Sequence, residues 1–230
     1  MVQSQFSAYD FIADITPGAV AIGLSLTLLP EGHFILDEAQ EVGVAAGLTF
    51  VIFAYVVGHL IQAIASPIDT YWAKYRGFAY PFENELSGED SDSSSDDEGS
   101  LDQVSVNEKF TSEVESHFSG EFSNTDIFFL TQSRLWNEDI GRMRRFQVLY
   151  TFFRSLWVVF AIGTVLHVLI LVAKWFEYYN SFLGTEDSIV LISGLTVAAL
   201  LAYYRRKKMH KKMAKTMVID FYANILVKED

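Results

Sequence analysis

The sequence contains no cysteine, and the common catalytic motifs are missing as well. Without cysteine the chain cannot form disulfide bonds, thiolate metal sites or cysteine nucleophiles. None of its five histidines belongs to an H-E-x-x-H motif, and neither a G-x-S-x-G motif nor a glycine-rich phosphate loop is present. We therefore expect no catalytic activity, no cofactor and no metal centre. A two-histidine metal site pairing His59 and His167 stays open as an alternative.

Basic residues are absent from the start of the chain, and the excess of acidic residues is confined to one segment. No lysine or arginine precedes the first apolar run, so we expect no cleavable signal peptide and take Met1 as the mature start. Fourteen acidic residues and one lysine lie between Glu83 and Asp126, which gives this segment a charge of −13. Because the whole chain carries −12, the remainder carries about +1. The acidity therefore belongs to a linker.

Apolar residues make up half of the 230 residues, and the mean hydropathy is +0.21. Such a composition with several long apolar runs predicts an integral membrane protein. The first run, Phe11 to Leu29, is interrupted by Pro17. If Thr16 caps a helix that begins at Pro17, only about 20 Å of helix remains, which is too short to cross a bilayer. A kinked helix from about Tyr9 to Leu29 is long enough.

The run from Val42 to Ala65 predicts the clearest span, because about 24 residues of helix reach roughly 36 Å. Its polar side chains repeat at intervals of four, three and four residues and therefore share one helix face. We call this face the polar stripe; it consists of Tyr55, His59, Gln62 and Ser66. Near the start of the run, Gly43 and Gly47 form a G-x-x-x-G pair that would let two helices approach closely.

The sequence after this span predicts first a new helix and then a disordered segment. Ser66 followed by Pro67 has the pattern of a helix start, so we expect the span to end there and a short interfacial helix to follow. Residues 87–123 are polar and acidic, and we expect them to be disordered. A solvated linker and an autoinhibitory tether for basic surfaces are the two interpretations of this segment.

The C-terminal half predicts three more helices. We expect a short helix from Asn124 to Trp136, and one long helix from about Ile140 to Tyr179 that contains the third span. The fourth span, from Ile189 to Tyr204, runs into a basic segment without a helix breaker. In this extension an apolar stripe repeats every four residues and predicts packing against a partner helix rather than a cofactor site. That stripe consists of Met209, Met213, Met217 and Phe221.

The distribution of basic residues predicts the topology. Eight of the 17 lysines and arginines fall in residues 66–155 and eight in the tail from Arg205, which leaves only Lys174 for the other side. This asymmetry indicates four spans with both termini in the cytoplasm. We expect the protein to lie in the plasma membrane.

Polar residues inside spans are costly and so are candidates for function, with hydrogen bonding between helices as the alternative. Histidine is of particular interest because its proton exchanges near neutral pH. The predicted pore or gate residues are Tyr55, His59, Gln62, Ser66, Thr164, His167 and Asp14. Basic residues beside the spans are expected to satisfy topology and anionic lipid, or to bind phosphate or an oligonucleotide. The predicted ligand or phosphate-binding residues are Arg142, Arg144, Arg145, Arg205, Arg206, Lys207, Lys208, Lys211 and Lys212.

Three short motifs carry a resemblance to a known group of proteins: Tyr9-Asp10-Phe11, Pro17-Gly18 and the stretch from Tyr55 to Gln62. With these motifs and its layout, the chain resembles small prokaryotic membrane effectors of antiviral defence, and is similar to the channel subunit of Hailong-type systems. In those systems a nucleotidyltransferase makes a DNA oligomer that controls an oligomeric channel. The resemblance implies a homo-oligomeric channel gated by a nucleotide or DNA oligomer. The acidic segment has no counterpart in it.

These observations predict an all-α protein with four transmembrane helices, cytoplasmic helical extensions and a disordered acidic linker. The leading hypothesis is an oligomeric ion channel, because four helices of one chain cannot enclose a wide aqueous path. The alternative is a non-conducting membrane anchor or adaptor that recruits a cytoplasmic partner. The predicted parts are a transmembrane hairpin (1–65), an interfacial helix (66–86), the linker (87–123), a cytoplasmic helical region (124–155), a second hairpin (156–204) and a basic helix (205–230).

Overall fold

A computed structural model describes residues 8–30, 44–75, 110, 112, 114–116, 124–137, 142–179 and 183–224. The helices in these residues are α1 (Ala8–Leu28), α2 (Val44–Tyr75), α3 (Asn124–Asn137), α4 (Met143–Trp175) and α5 (Thr185–Asn224). The predicted all-α class is confirmed for this part of the chain. Two compact units are present. Unit 1 combines Met1–Asp69 with Val148–Arg206, and unit 2 combines Thr70–Gln147 with Lys207–Asp230.

Three helices are long and apolar enough to cross a membrane: Ala46–Tyr71, Met143–Trp175 and Thr185–Phe221. Helix α1 contributes a shorter apolar helix, Ala13–Leu28. Large apolar side chains of these helices are exposed on the single chain, for example Phe53, Leu169 and Leu200. Apolar surface of this extent is unusual for a soluble monomer and is normal for helices surrounded by lipid. The chain therefore has the helices of a membrane protein.

Helix α1 runs without interruption from Ala8 to Leu28 with Pro17 inside it. The prediction of a helix reaching from about Tyr9 to Leu29 is confirmed, and a helix that begins only at Pro17 is excluded. Helix α1 packs very closely on α2. A Cβ atom on Gly18 would lie 1.8 Å from the Ala54 carbonyl oxygen, and one on Gly58 would lie 1.8 Å from the Asp14 carbonyl oxygen. Two glycines, one from each helix, make this approach possible.

The predicted G-x-x-x-G contact is not made within the chain. A Cβ atom on Gly47 would meet no atom within 4 Å, and Gly43 lies outside the described residues. The close helix crossing uses Gly18 and Gly58 instead, which stand apart in the sequence.

Helix α2 continues through Ser66 and Pro67 to Tyr75, so the predicted helix end at Ser66 is wrong. Transmembrane helices tolerate an internal proline because neighbouring groups satisfy the backbone carbonyl that it leaves unpaired. Beyond the proline, Asp69 is fixed by an ion pair with Arg206, and this contact holds the next helical turn in place. The start of the predicted interfacial helix is thus the last part of α2, and residues 76–86 lie outside the described residues.

Helix α4 ends at Trp175, four residues before the predicted end at Tyr179. The Glu177 N–H donates to the Lys174 carbonyl at 3.0 Å, and the Tyr178 N–H donates to the Ala173 carbonyl at 2.9 Å. Glu177 itself has a φ of 60°. These bonds form a Schellman motif, which terminates a helix and usually has glycine at the left-handed position. Because glutamate occupies that position here, the sequence pattern gave no sign of the helix end.

Unit 2 has its own buried apolar cluster. Helix α5 extends from Thr185 to Asn224, which confirms the predicted continuation beyond Tyr204, although the helix begins four residues before the predicted start at Ile189. It buries Met213, Met217 and Phe221 of its stripe in this cluster. Met209, one turn earlier, is also buried. The other members are Phe110, Val114, Ile127, Leu135, Met143, Ala214 and Val218. The prediction that the stripe packs against other parts of the protein is confirmed.

Phe110 and Val114 correct the prediction for the acidic segment. Both are fully buried in the apolar cluster, and both have helical conformation. Their spacing of four residues places them on one face, where burial offsets the cost of ordering an acidic stretch. Disorder therefore does not extend across the whole of 87–123; the rest of that segment lies outside the described residues apart from Ser112, Glu115 and Ser116.

Asp220 of α5 caps the start of α4. Its Oδ2 atom accepts a 2.7 Å hydrogen bond from the Arg142 backbone N–H, and its Oδ1 atom accepts one of 3.2 Å from Arg142 Nη2. A carboxylate at a helix N-terminus satisfies an otherwise unpaired donor and interacts favourably with the helix dipole. Within unit 2, this contact fixes the two helices to each other.

Candidate functional site

The polar stripe of α2 meets α1 at Asp14. His59 Nδ1 lies 3.3 Å from Asp14 Oδ2, and Gln62 Nε2 donates to Asp14 Oδ1. The close approach at Gly58 puts the two helices near enough for these short side chains to meet. A carboxylate, an imidazole and an amide from two helices therefore form one hydrogen-bonded group inside the apolar part of unit 1.

The members of this group differ in exposure. The Asp14 side chain is 9% exposed, whereas the His59 side chain is 69% exposed. The ring of Tyr55 is stacked beside that of His59, with centroids 5.8 Å apart. Ser66 continues the same face one turn beyond Gln62 and is exposed. His59 and Ser66 of the stripe are thus exposed on the single chain, whereas Tyr55 and Gln62 are half-buried beside the buried carboxylate.

The hydrogen-bonding roles follow from the chemistry of the carboxylate. An ionised carboxylate can only accept, so both neighbours must direct donors at it. When the carboxylate is ionised and the imidazole is neutral, His59 carries its proton on Nδ1, and the Gln62 NH₂ group is directed at Oδ1. The atoms left on the outer side are acceptors, namely His59 Nε2 and Gln62 Oε1.

His167 occupies a second buried position, where α4 contacts α1. Its Nδ1 atom lies 2.7 Å from the Gly163 carbonyl, and its Nε2 atom lies 2.9 Å from Thr27 Oγ1. Since a carbonyl only accepts, Nδ1 must carry a proton. Thr164, predicted beside it, donates to the Phe160 carbonyl of its own helix at 2.8 Å. Neither residue contacts the Asp14 group, so the seven predicted pore residues divide between two places.

A third polar cluster in unit 1 was not predicted as such. Arg206 and Asp69 form an ion pair in which both side chains are buried, and Tyr150 donates to Asp69 Oδ2 at 2.6 Å. The Arg206 guanidinium also lies 4.9 Å from the Tyr203 ring centroid and 5.7 Å from that of Trp157. The sequence signal was available: an acid shortly after one span and an arginine shortly after another cannot both stay buried unless they pair.

This cluster corrects the prediction that Arg206 binds phosphate. Its guanidinium is buried against Asp69 and two aromatic rings, so it is directed into the protein. Arg142 is bonded to Asp220, although its side chain is largely exposed. Of the remaining predicted basic residues, Arg144 is partly exposed. The others are exposed: Arg145, Arg205, Lys207, Lys208, Lys211 and Lys212.

No group of three or more His, Asp or Glu side chains in the described part of the chain could hold a metal ion. The proposed pair of His59 and His167 is also not formed, because His59 contacts Asp14 and His167 contacts Thr27.

Comparisons with protein-family models, with curated proteins and with solved structures find no match to this chain.

Proposed function

We propose that several copies of this chain assemble in a membrane into an ion-conducting pore whose wall includes the polar stripe and Asp14. The observation that carries the proposal is the exposure of His59. It lies in the middle of a helix that is apolar enough to span a membrane, yet its side chain is 69% exposed on the single chain. An imidazole in that place must face protein or water, because facing lipid is costly.

A second copy supplies the simplest cover for this face. One chain cannot surround its own stripe, since the stripe lies on the outside of the α1 and α2 pair. Several copies arranged around a common axis would bring their stripes together and exclude lipid from them. Water in the resulting path would solvate the acceptors of His59 and Gln62.

The proposed topology has four spans and places both termini in the cytoplasm of a plasma-membrane protein. Helix α1 reaches about 31 Å at its 21 residues, which matches the bilayer core. The contacts between α1 and α2 show that the two helices run in opposite directions. Asp14 lies against Gly58, whereas Gly18, four residues later on α1, lies against Ala54, four residues earlier on α2.

Gating by a phosphate-containing ligand is the second part of the proposal. Helix α5 exposes Lys207, Lys208, Lys211 and Lys212 while its opposite face enters the apolar cluster. An exposed basic face of this kind suits a nucleotide, a DNA oligomer or anionic lipid head groups. Together with the resemblance to Hailong-type channel subunits, it supports an effector role in prokaryotic antiviral defence.

The alternative, a membrane anchor or adaptor, is favoured by one observation. Unit 2 has a buried cluster of its own, which a domain that recruits a partner would need. The two functions differ in what the polar stripe does, because an adaptor needs it only for packing.

Two measurements test the pore. Native mass spectrometry in detergent should give a defined homo-oligomer, and purified protein in planar bilayers should give discrete currents. The His59→Leu variant should change the conductance while the oligomer persists. A stable monomer, or the absence of current in wild-type protein with and without DNA oligomers, would reject the pore and leave the adaptor.

A further inference from the structure

We infer that the pore selects small inorganic cations over anions, and that Asp14 is the residue that determines this preference. The inference rests on the proposed function and extends it to the class of ion. Its basis is the arrangement of donors and acceptors around one buried carboxylate.

Both neighbours of Asp14 use their donors on the carboxylate. His59 Nδ1 faces Oδ2 at 3.3 Å, and the Gln62 amide nitrogen donates to Oδ1. Neither partner carries a formal charge when the imidazole is neutral, so the group as a whole keeps the charge of the aspartate. In that protonation state the outward atoms, His59 Nε2 and Gln62 Oε1, are acceptors. Lone pairs backed by a negative charge attract cations and repel anions.

The low exposure of Asp14 strengthens this effect. Its side chain is 9% exposed, so water screens its charge less than it would at a surface. Direct coordination is not required, since the field of a carboxylate acts over several ångströms in a medium of low dielectric constant. In an oligomer, each copy would add one such charge to the ring around the path.

Four described lysines and arginines belong to unit 1, and none of their described contacts is with Asp14. Arg206 pairs with Asp69, and Lys174 donates to the Leu183 carbonyl at 2.8 Å at the C-terminal end of α4. Arg154 lies over the ring of Tyr150, one turn away on its own helix, and Arg205 is exposed. In the described contacts, Asp14 is therefore the charged side chain that bonds to the polar stripe.

The test is the reversal potential of wild-type protein in planar bilayers under a KCl gradient, at an ionic strength that screens surface charge. We expect a clear preference for K⁺ over Cl⁻. Asp14→Asn should lower the ratio of K⁺ to Cl⁻ permeability by about fivefold or more, because the field of the carboxylate is lost. Asparagine has the same shape and still accepts from Gln62, so the helix crossing should be kept.

A charge-relocation variant separates selectivity from folding. Asp14→Asn combined with Gln62→Glu moves the carboxylate from α1 to α2 at the same place, and it should restore the preference for K⁺. Glu186→Gln removes an exposed acid at the start of α5 and should leave the ratio unchanged. A merely structural role of Asp14 would predict no recovery in the double variant.

The outcomes distinguish the two proposals. A wild-type channel that prefers Cl⁻, or that conducts both ions equally, overturns the assignment of cations while the pore stands. A cation preference that survives Asp14→Asn, or that the double variant fails to restore, overturns the role of Asp14. Protein that never conducts rejects the pore and this inference with it.

Discussion

Gly18 and Gly58 face each other so closely that a Cβ atom on Gly18 would lie 2.7 Å from the backbone nitrogen of Gly58. This crossing of α1 and α2 is the reason that Asp14 can reach His59 and Gln62, because both residues follow Gly58 within about one turn of α2. Helices that touch at their backbones tolerate no added side chain at the contact. The geometry of the candidate site therefore depends on two glycines that have no chemistry of their own.

The first prediction follows from this crossing. Gly58→Ala should destabilise the protein by about 1–3 kcal/mol, since the added methyl group would collide with the Asp14 backbone and force the helices apart. Thermal unfolding in detergent, followed by circular dichroism, measures the effect. Gly47→Ala is the matched control, because that position has open space, and helix propensity favours alanine there. Equal stability of the two variants would show that the crossing is looser than described.

The buried ion pair gives the second prediction. Among the described contacts, Arg206→Met leaves the buried Asp69 with only the Tyr150 hydroxyl as a partner, and it should cost about 3–5 kcal/mol. Replacing both charges, as Asp69→Leu with Arg206→Met, should cost much less than the sum of the two single changes. The neighbouring Arg205 is exposed, so Arg205→Met should have little effect. Additive losses in this double-mutant cycle, measured by unfolding in detergent, would mean that the two side chains do not interact.

The third prediction concerns the partner of His167. Thr27→Val removes the hydroxyl next to the buried Nε2 atom and keeps the shape of the side chain, so it should cost about 1–3 kcal/mol. Thr196→Val is the control, because the Thr196 hydroxyl is exposed and donates only to the Ile192 carbonyl of its own helix in the described contacts. Denaturation midpoints of the two variants should differ clearly. Identical midpoints would indicate that His167 has another adequate partner.

Much of the helical layout could be predicted from the sequence, because length and apolar composition decide which segments can span a membrane. Helix α5 is the best case, since the periodicity of Met213, Met217 and Phe221 continued well past the apolar span and gave the buried face correctly. The same reasoning placed His59 and Gln62 on one face.

The failures have physical causes that local patterns do not contain. Pro67 has the signature of a helix start, yet a tertiary ion pair formed by Asp69 carries α2 beyond it. Glu177 takes a conformation that usually belongs to glycine, so the end of α4 was placed too late. The pairing of Asp14 with His59 could not be derived, because it depends on which glycines meet at the crossing. The proposed ion preference likewise depends on which donors face the carboxylate.

The last prediction tests the corrected part of the acidic segment. Phe110→Ala should cost about 3–5 kcal/mol, because the ring is fully buried in the apolar cluster and lies 5.8 Å from the Phe221 ring, centroid to centroid, in an edge-to-face arrangement. The matched control is Phe129→Ala, in which the same side chain is removed from a position that is 60% exposed. Limited proteolysis of the full chain offers a readout for unit 2, since loosening the cluster should speed cleavage near α3 and the end of α5. Unchanged stability and proteolysis in Phe110→Ala would mean that the Phe110 ring does not contribute to the apolar cluster of unit 2.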